Sequence, residues 1–269
     1  MKTLSDFLNL MNQNELKKSL SQLDLGDVKY FDSTGSTNDE ALAWAANDAD
    51  DLSLVIADEQ TAGRGRLGRK WITPKGTALA FSLILNPTSE EKPHLPRIVG
   101  LAALAVVEAL QKCGLSPQIK WPNDILLQGR KVGGILTESV WTGEDVDCVV
   151  IGIGINVSKG SVPPDEALQF PATSLEEALG HSPERVEVLT DILNAFIELR
   201  PRLGTEEFIS QWESQLALRG ETVQVDSEKA PAVTGQVDGL ESDGSLRIRK
   251  EHGEFVTVRF GDVRLRPLA

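Results

Sequence analysis

The chain has 269 residues, more than one ordinary core requires, which predicts one large domain with a small one beside it. Its 41% hydrophobic and 25% charged residues exclude a disordered or fibrous chain. A net charge of −13 excludes general attraction to nucleic acid or an anionic membrane surface, so any anion site must be a local basic cluster working against the global field.

The other inventories narrow the classes further. Cys113 and Cys148 make no C-x-x-C pair and no disulfide framework, which predicts a reducing, cytoplasmic setting. His94, His181 and His252 stand apart, so a structural zinc site is not expected. No export leader is read at the N-terminus. The most apolar segment, residues 98–110, is shorter than a membrane span and contains Glu108, so a buried core helix is expected.

In chain order, residues 1–25 place Leu4, Phe7, Leu8, Met11 and Leu16 at roughly helical spacing, enough for one amphipathic helix but not for a three-helix DNA-reading domain. A short strand over 28–32 follows. Thr37 and Glu40 then form a capping box for a helix. Residues 52–57 read as a buried strand, 63–70 as a glycine- and arginine-rich loop, and 77–85 as a central strand covered on both faces. Pro96 and Gly114 bracket a helix over 97–112. Strands are expected at 118–121, 132–137 and 147–155, then a mobile loop over 158–173 and helices over 182–199 and 205–218. After Arg219, short alternating runs broken by glycines predict a barrel-like all-β module. The expected domains are therefore a helical lead (1–25), a large domain (26–218) and a small one (219–269).

Three stretches can carry chemistry. Gly63-Arg64-Gly65-Arg66-Leu67-Gly68-Arg69-Lys70 sets four cations in eight residues. Glycines let backbone N–H groups approach an anion, and arginine adds planar, bidentate donors. A solvated basic turn accounts for the same composition. The spacing also satisfies G-x-G-x-x-G, but a dinucleotide fold needs a helix next, and here Trp71-Ile72-Thr73-Pro74-Lys75-Gly76 leads into a strand. The P-loop fails because Arg69-Lys70-Trp71 follows Gly68, and no HRD or DFG segment supports a kinase. In Lys120-Trp121-Pro122-Asn123-Asp124, followed by Lys131, Asp124 and Lys131 bracket a short strand and turn that could bring them together, or could leave them on a plain hairpin. In Gly152-Ile153-Gly154-Ile155-Asn156, glycine in a buried strand fits close approach by a ligand or simple packing.

Taken in order, S-T-N (36–38), E-Q-T-A-G-R-G-R-x-G-R-K-W (59–71), K-W-P-N-D (120–124), K-x-x-G-I-L-x-E (131–138) and G-I-G-I-N (152–156) closely resemble the bacterial biotin–protein ligase family over roughly residues 28–265. That resemblance implies an α+β fold with a central mixed sheet and flanking helices, of the class II synthetase-like kind, plus a C-terminal SH3-like β-barrel. It implies biotin, ATP and Mg²⁺, a biotinyl-5′-adenylate intermediate, and transfer to a lysine of the biotin carboxyl carrier protein of acetyl-CoA carboxylase. It assigns Ser36, Thr37, Asn38, Gln60, Arg64, Gly65, Arg66, Lys131 and Gly133 to biotin. Arg64, Arg66, Arg69, Lys70, Trp71, Asn123, Lys131 and Asn156 fall to the nucleotide. Lys131, Arg66 and Asp124 fall to catalysis, with Asp124 also a metal candidate. The loop 158–173 is expected to act as a second flap. Family members that double as repressors carry an N-terminal winged helix of about 60 residues. Only about 27 residues precede the first strand here, so no operator-binding half is expected. A homodimer through the sheet remains open. The rivals are lipoate–protein ligase, a biotin-sensing regulator without ligase activity, and a nucleic-acid module resting on the basic loop alone.

Overall fold

The computed structural model describes residues 11–164, 170–227, 231–259 and 263–267. Helix α1 (Gln13–Leu20) starts at Asn12, whose side chain accepts from the N–H groups of Asn14 and Glu15, and it buries Leu16 and Leu20. Met11 is buried too, while Leu4, Phe7 and Leu8 of the expected stripe lie outside the described residues.

The large domain continues with β1 (Val28–Phe31), α2 (Thr37–Ala45), β2 (Ser53–Ala57) and β3 (Ala78–Leu85). Then come α3 (Ile98–Lys112), β4 (Pro117–Lys120), β5 (Asp124–Leu127), β6 (Arg130–Thr142) and β7 (Asp145–Asn156). Helices α4 (Leu175–Leu179), α5 (Arg185–Leu199) and α6 (Glu206–Ser214) complete it. The strands form one sheet in the order β1-β2-β3-β7-β6-β5-β4, parallel only at β1–β2, so the sheet is mixed as expected. Strand β5 and helix α4 had no signal of their own in the sequence, being too short for either period to declare itself.

Strict alternation along the central strands divides the sheet into two faces. Leu54 and Ile56 of β2, Phe81 and Leu83 of β3, and Ile151, Ile153 and Ile155 of β7 join the main core under α3 and α5. The opposite face carries Val55, Ile84 and Val150 against α2. By the same parity Ser82, Gly152, Gly154 and Asn156 belong to that second face. One irregularity matters. Regular alternation would put Lys131 on the core side with Gly133, but a bulge shifts the β5–β6 register between Ile125 and Leu126. Lys131 is thereby turned to the Gly134 side, where its Nζ would lie 3.2 Å from a Cβ added to that glycine.

Two local expectations are corrected. The capping box does not form: Ser36 is the N-cap of α2 and makes no side-chain cap bond, while Glu40 accepts from the Thr34 hydroxyl at 2.7 Å. The segment Lys92–Lys112, a 3-10 turn running into α3, is long and apolar enough to cross a membrane, longer than the apolar run alone suggests. Its most apolar window is 67% buried within the fold, as a core helix should be.

The C-terminal strands β8 (Thr222–Ser227), β9 (Val233–Leu240), β10 (Leu246–Arg249), β11 (Phe255–Val258) and β12 (Val263–Pro267) form an antiparallel sheet in the order β11-β10-β9-β8-β12, consistent with an SH3-like domain. Its β9–β10 turn docks on the large domain. Trp121 Nε1 donates to Gly244 O at 3.1 Å, and buried Arg97 donates to Ser242 O at 2.7 Å.

At the end of β2, Asp58 pairs with Arg185 at 2.7 Å, both side chains wholly buried, and Arg185 also donates to Ala78 O at 3.0 Å. Asp58→Ala would strand a guanidinium in the core, and urea unfolding should show a loss of about 3–5 kcal/mol. Replacing both partners with apolar residues should recover much of that loss; equal losses in the single and double variants would contradict it.

Candidate active site

A cavity of 430 Å³ opens on the α2 side of the sheet, over the middle of β6 and β7. Its floor is glycine. A Cβ at Gly152 would collide with the Asn38 amide, and one at Gly154 with the Trp71 indole. The glycines of the G-I-G-I-N stretch therefore serve close approach, while the intervening isoleucines serve the core on the other face. Gly134 also lines the cavity. Gly133 does not: it faces the core, where an added Cβ would lie 2.6 Å from Ile155 Cδ1.

One end of the cavity is a buried hydrogen-bonded cluster built by the start of α2. Ser36, Thr37 and Asn38 are each under 5% exposed and all line the cavity. Gln60 Oε1 accepts from the Thr37 N–H at 2.8 Å and from its hydroxyl at 3.1 Å, and Gln60 Nε2 donates to Thr73 at 3.1 Å. Asn38 Nδ2 donates to Glu138 at 2.7 Å and Leu136 O at 3.3 Å. Ser82 Oγ lies 2.6 Å from Asn38 Oδ1.

The arginine loop forms the adjoining wall. It is a closed hairpin, with Gly65 N donating to Arg69 O at 2.7 Å and Trp71 N to Gly63 O at 2.8 Å. Its tip turns through left-handed backbone at Leu67 and Gly68. Arg64 lines the cavity too, bidentate to Glu138 at 2.9 and 2.7 Å and paired with Asp39 at 2.7 Å. The hydrogen bonds that Arg64 donates to Glu138 raise its pKa further. Arg66 donates to Asn123 Oδ1 at 3.0 Å, and Asn123 in turn donates to Ile135 O at 2.7 Å. Arg69, Lys70 and Trp71 line the cavity as well.

The other end is basic. Lys131 meets Asp124 at 2.5 Å, and Lys120 lies 3.9 Å from the same carboxylate, so the hairpin does bring Asp124 and Lys131 together. Above them, Lys131 N donates to Pro171 O and Thr173 N to Lys131 O, which pins the segment after the loop onto β6. Asn156 Nδ2 donates to Thr173 O at 3.0 Å, and Phe170 stacks over the Lys120 ammonium at 4.6 Å. Of the expected flap 158–173, residues 165–169 lie outside the described residues; its described ends are both tied to the sheet. Lys120, Phe170 and Ser82 carry no assignment from the sequence motifs. Lys120 could have been found as the first residue of K-W-P-N-D, and Ser82 as the lone hydroxyl in an apolar strand; Phe170 offered no signal.

A resident metal does not fit. Both oxygens of Asp124 face ammonium groups, and no cluster of three acidic, histidine or cysteine side chains occurs among the described residues. Burial raises the pKa values of Cys113 and Cys148, so neither supplies a thiolate nucleophile at neutral pH.

Fold and site together present one cavity on a mixed sheet, with a polar end and a cationic end. The Biotin/lipoate A/B protein ligase family model matches residues 30–156. The bifunctional ligase/repressor BirA of Bacillus spizizenii is 35% identical over 248 residues, covering 90% of this chain and 76% of that protein. The biotin–[acetyl-CoA-carboxylase] ligase of Paracoccus denitrificans is 36% identical, covering 83% of this chain and 94% of that one. The biotin protein ligase of Aquifex aeolicus, solved in complex with biotin and ATP, superposes with a TM-score of 0.78 at 32% identity, over 90% of this chain and 99% of that one. The chain belongs to the biotin/lipoate protein ligase family, within its biotin protein ligase branch.

Glu138 is the hub that fastens the arginine loop to β6. Glu138→Ala should release Arg64 and quicken tryptic cleavage at Arg66, Arg69 or Lys70 while the melting temperature changes little; an unchanged cleavage rate would refute the latch.

Proposed function

We propose that the chain activates biotin with Mg-ATP and transfers it to a lysine of a biotin carboxyl carrier protein, in two steps at this one cavity. In the first, the biotin carboxylate attacks the α-phosphorus of ATP and pyrophosphate leaves. In the second, the carrier's ε-amine attacks the acyl carbon of biotinyl-5′-adenylate and AMP leaves with the bonding pair. The observation that carries the reading is the junction of the hydrogen-bonded Thr37–Asn38–Gln60 cluster with the cationic group of Lys131, Arg66 and Lys120 in a single 430 Å³ space. The relatives named as biotin ligases, and the structures solved with biotin and ATP or with biotinyl-5-AMP, support the same reading.

Chemistry of this kind needs two anions held in line rather than a covalent nucleophile. We assign the uncharged head group to Ser36, Thr37, Asn38 and Gln60, which offer hydroxyls and amides without net charge. The carboxylate and α-phosphate fall to Lys131, oriented by Asp124, with Arg66 closing over them. The remaining nucleotide falls to Arg69, Lys70, Trp71, Asn123 and Asn156. Arg64 we place behind this contact layer, holding the loop through Glu138. Mg²⁺ enters on the ATP phosphates as part of the substrate. Beyond Gly134, β6 outruns β5, and a more open hollow of 630 Å³ lies between its Thr137 and Ser139 and the start of α3, beside the loop. We place carrier docking there, where strand addition would bring a lysine to the loop.

Incubation with biotin, Mg-ATP and a carrier domain tests the reading directly. The carrier should gain the mass of one biotinyl group, and pyrophosphate exchange should require biotin rather than lipoate. Lys131→Ala should lower biotin-dependent pyrophosphate release by about 10²- to 10³-fold with the fold intact, since it removes the charge nearest the reacting oxygens. Near-normal release would remove Lys131 from catalysis. Arg66→Ala should instead speed adenylate dissociation by about 10- to 100-fold, the worth of one charge-assisted hydrogen bond. An unchanged off-rate in a chase experiment would contradict the closing role.

A further inference from the structure

Ser82 is the single polar side chain in β3, a strand otherwise made of alanine, leucine, isoleucine and phenylalanine, and it is wholly buried. It does not line the cavity. Its register partner on β7 is Gly152, and together they make a pit in the sheet into which the Asn38 amide descends. The Ser82 hydroxyl lies 2.6 Å from Asn38 Oδ1 and 2.8 Å from Thr37 Oγ1. One proton cannot serve both. An amide oxygen only accepts, so the Ser82 proton goes to Asn38, and the Thr37 proton remains to be donated to Gln60 or Ser82.

That bond, with the acceptors at Glu138 and Leu136 O, orients the Asn38 amide. With Oδ1 held down by Ser82, Nδ2 must point to Glu138 and Leu136 O. A flipped amide would set its oxygen against the Glu138 carboxylate and the Leu136 carbonyl, leaving both without that donor. Glu138, held by Asn38, in turn grips Arg64 of the loop. We propose that Ser82 is a positioning residue for head-group recognition, acting through Asn38 and Thr37 without touching the substrate. The inference rests on the assignment of this cluster to biotin.

Steady-state kinetics of biotin-dependent pyrophosphate release separates the two ideas. Wild-type protein that shows no biotin-dependent release ends the functional assignment itself. With wild type active, Ser82→Ala should raise the biotin KM about tenfold, the worth of one buried hydrogen bond, with kcat and the ATP KM within about twofold. Ser82→Thr, which restores the hydroxyl, should bring the biotin KM most of the way back. On an Asn38→Ala background, Ser82→Ala should add little, because its route of action is already gone. Folded Ser82→Ala protein with a wild-type biotin KM, failure of Ser82→Thr to improve on Ser82→Ala, or full additivity with Asn38→Ala would each overturn the proposal. A loss of thermal stability with unchanged KM would mark Ser82 as packing alone.

Discussion

Two positions in the centre of the sheet must carry nothing larger than hydrogen, and the rest of the site is arranged around that requirement. Strand β7 has neighbours on both edges and a core beneath it, so it can yield space only on its upper face. Gly152 yields it to Asn38, and Gly154 yields it to Trp71. Asn38 brings the start of α2 down to the sheet, and Trp71 brings down the end of the arginine loop. The isoleucines between these glycines keep the strand anchored in the main core. Period-two alternation thus lets one pentapeptide act as core on one face and as floor on the other.

Electrostatics follows the same division of labour. A chain of net charge −13 could not concentrate cations in one cavity unless each had a local reason to stay. Asp124 balances Lys131 and faces Lys120, while Glu138 and Asp39 balance Arg64. The consequences differ. Arg64, held bidentate, serves as a structural peg. Lys131, held by a single oxygen at the cavity's basic end, has two remaining donors for an incoming anion. Of these pairs, Arg64–Asp39 is exposed on both sides and contributes little stability, so its chief effect is orientation.

Much of this was legible in the sequence because it was written in long-period or chemically marked residues. The core helix α3 and the C-terminal β module follow from runs of apolar residues and clustered glycines, whereas the mixed sheet was implied by the resemblance to the biotin–protein ligases. Asp124 and Lys131 stand on either side of a short hairpin, which left a plain surface turn open until the order of the motifs singled them out. What escaped was decided by tertiary contact. Thr37 and Glu40 satisfy the local pattern of a capping box, yet Gln60 and Thr34 outbid the helix backbone for them. Lys131 reaches the site face through a one-residue bulge that no alternation pattern reveals. Gly133 and Gly134 are indistinguishable as letters, and only their opposite faces separate core from cavity. Ser82 stood out as the lone hydroxyl in an apolar strand, but what it does depends on its partner across the sheet being Gly152.

The C-terminal module, separable by composition, is bound into the catalytic geometry by its β9–β10 turn. Trp121, the second residue of K-W-P-N-D, spends its indole N–H on Gly244 O, and Asn123 and Asp124 follow it directly on the chain. The Trp212 ring of α6 is wedged where a Cβ on either Gly100 of α3 or Gly244 would collide, so that turn, α6 and α3 pack with no room between them. Arg97 closes the same contact from the start of α3, with its guanidinium shared among Ser242 O, Leu203 O and Thr205 O. The small module is thereby joined through Trp121 to the segment whose Asp124 carboxylate holds Lys131. None of this module's described residues lines the cavity, yet its β9–β10 turn is hydrogen-bonded to the strand connection that leads to Asp124.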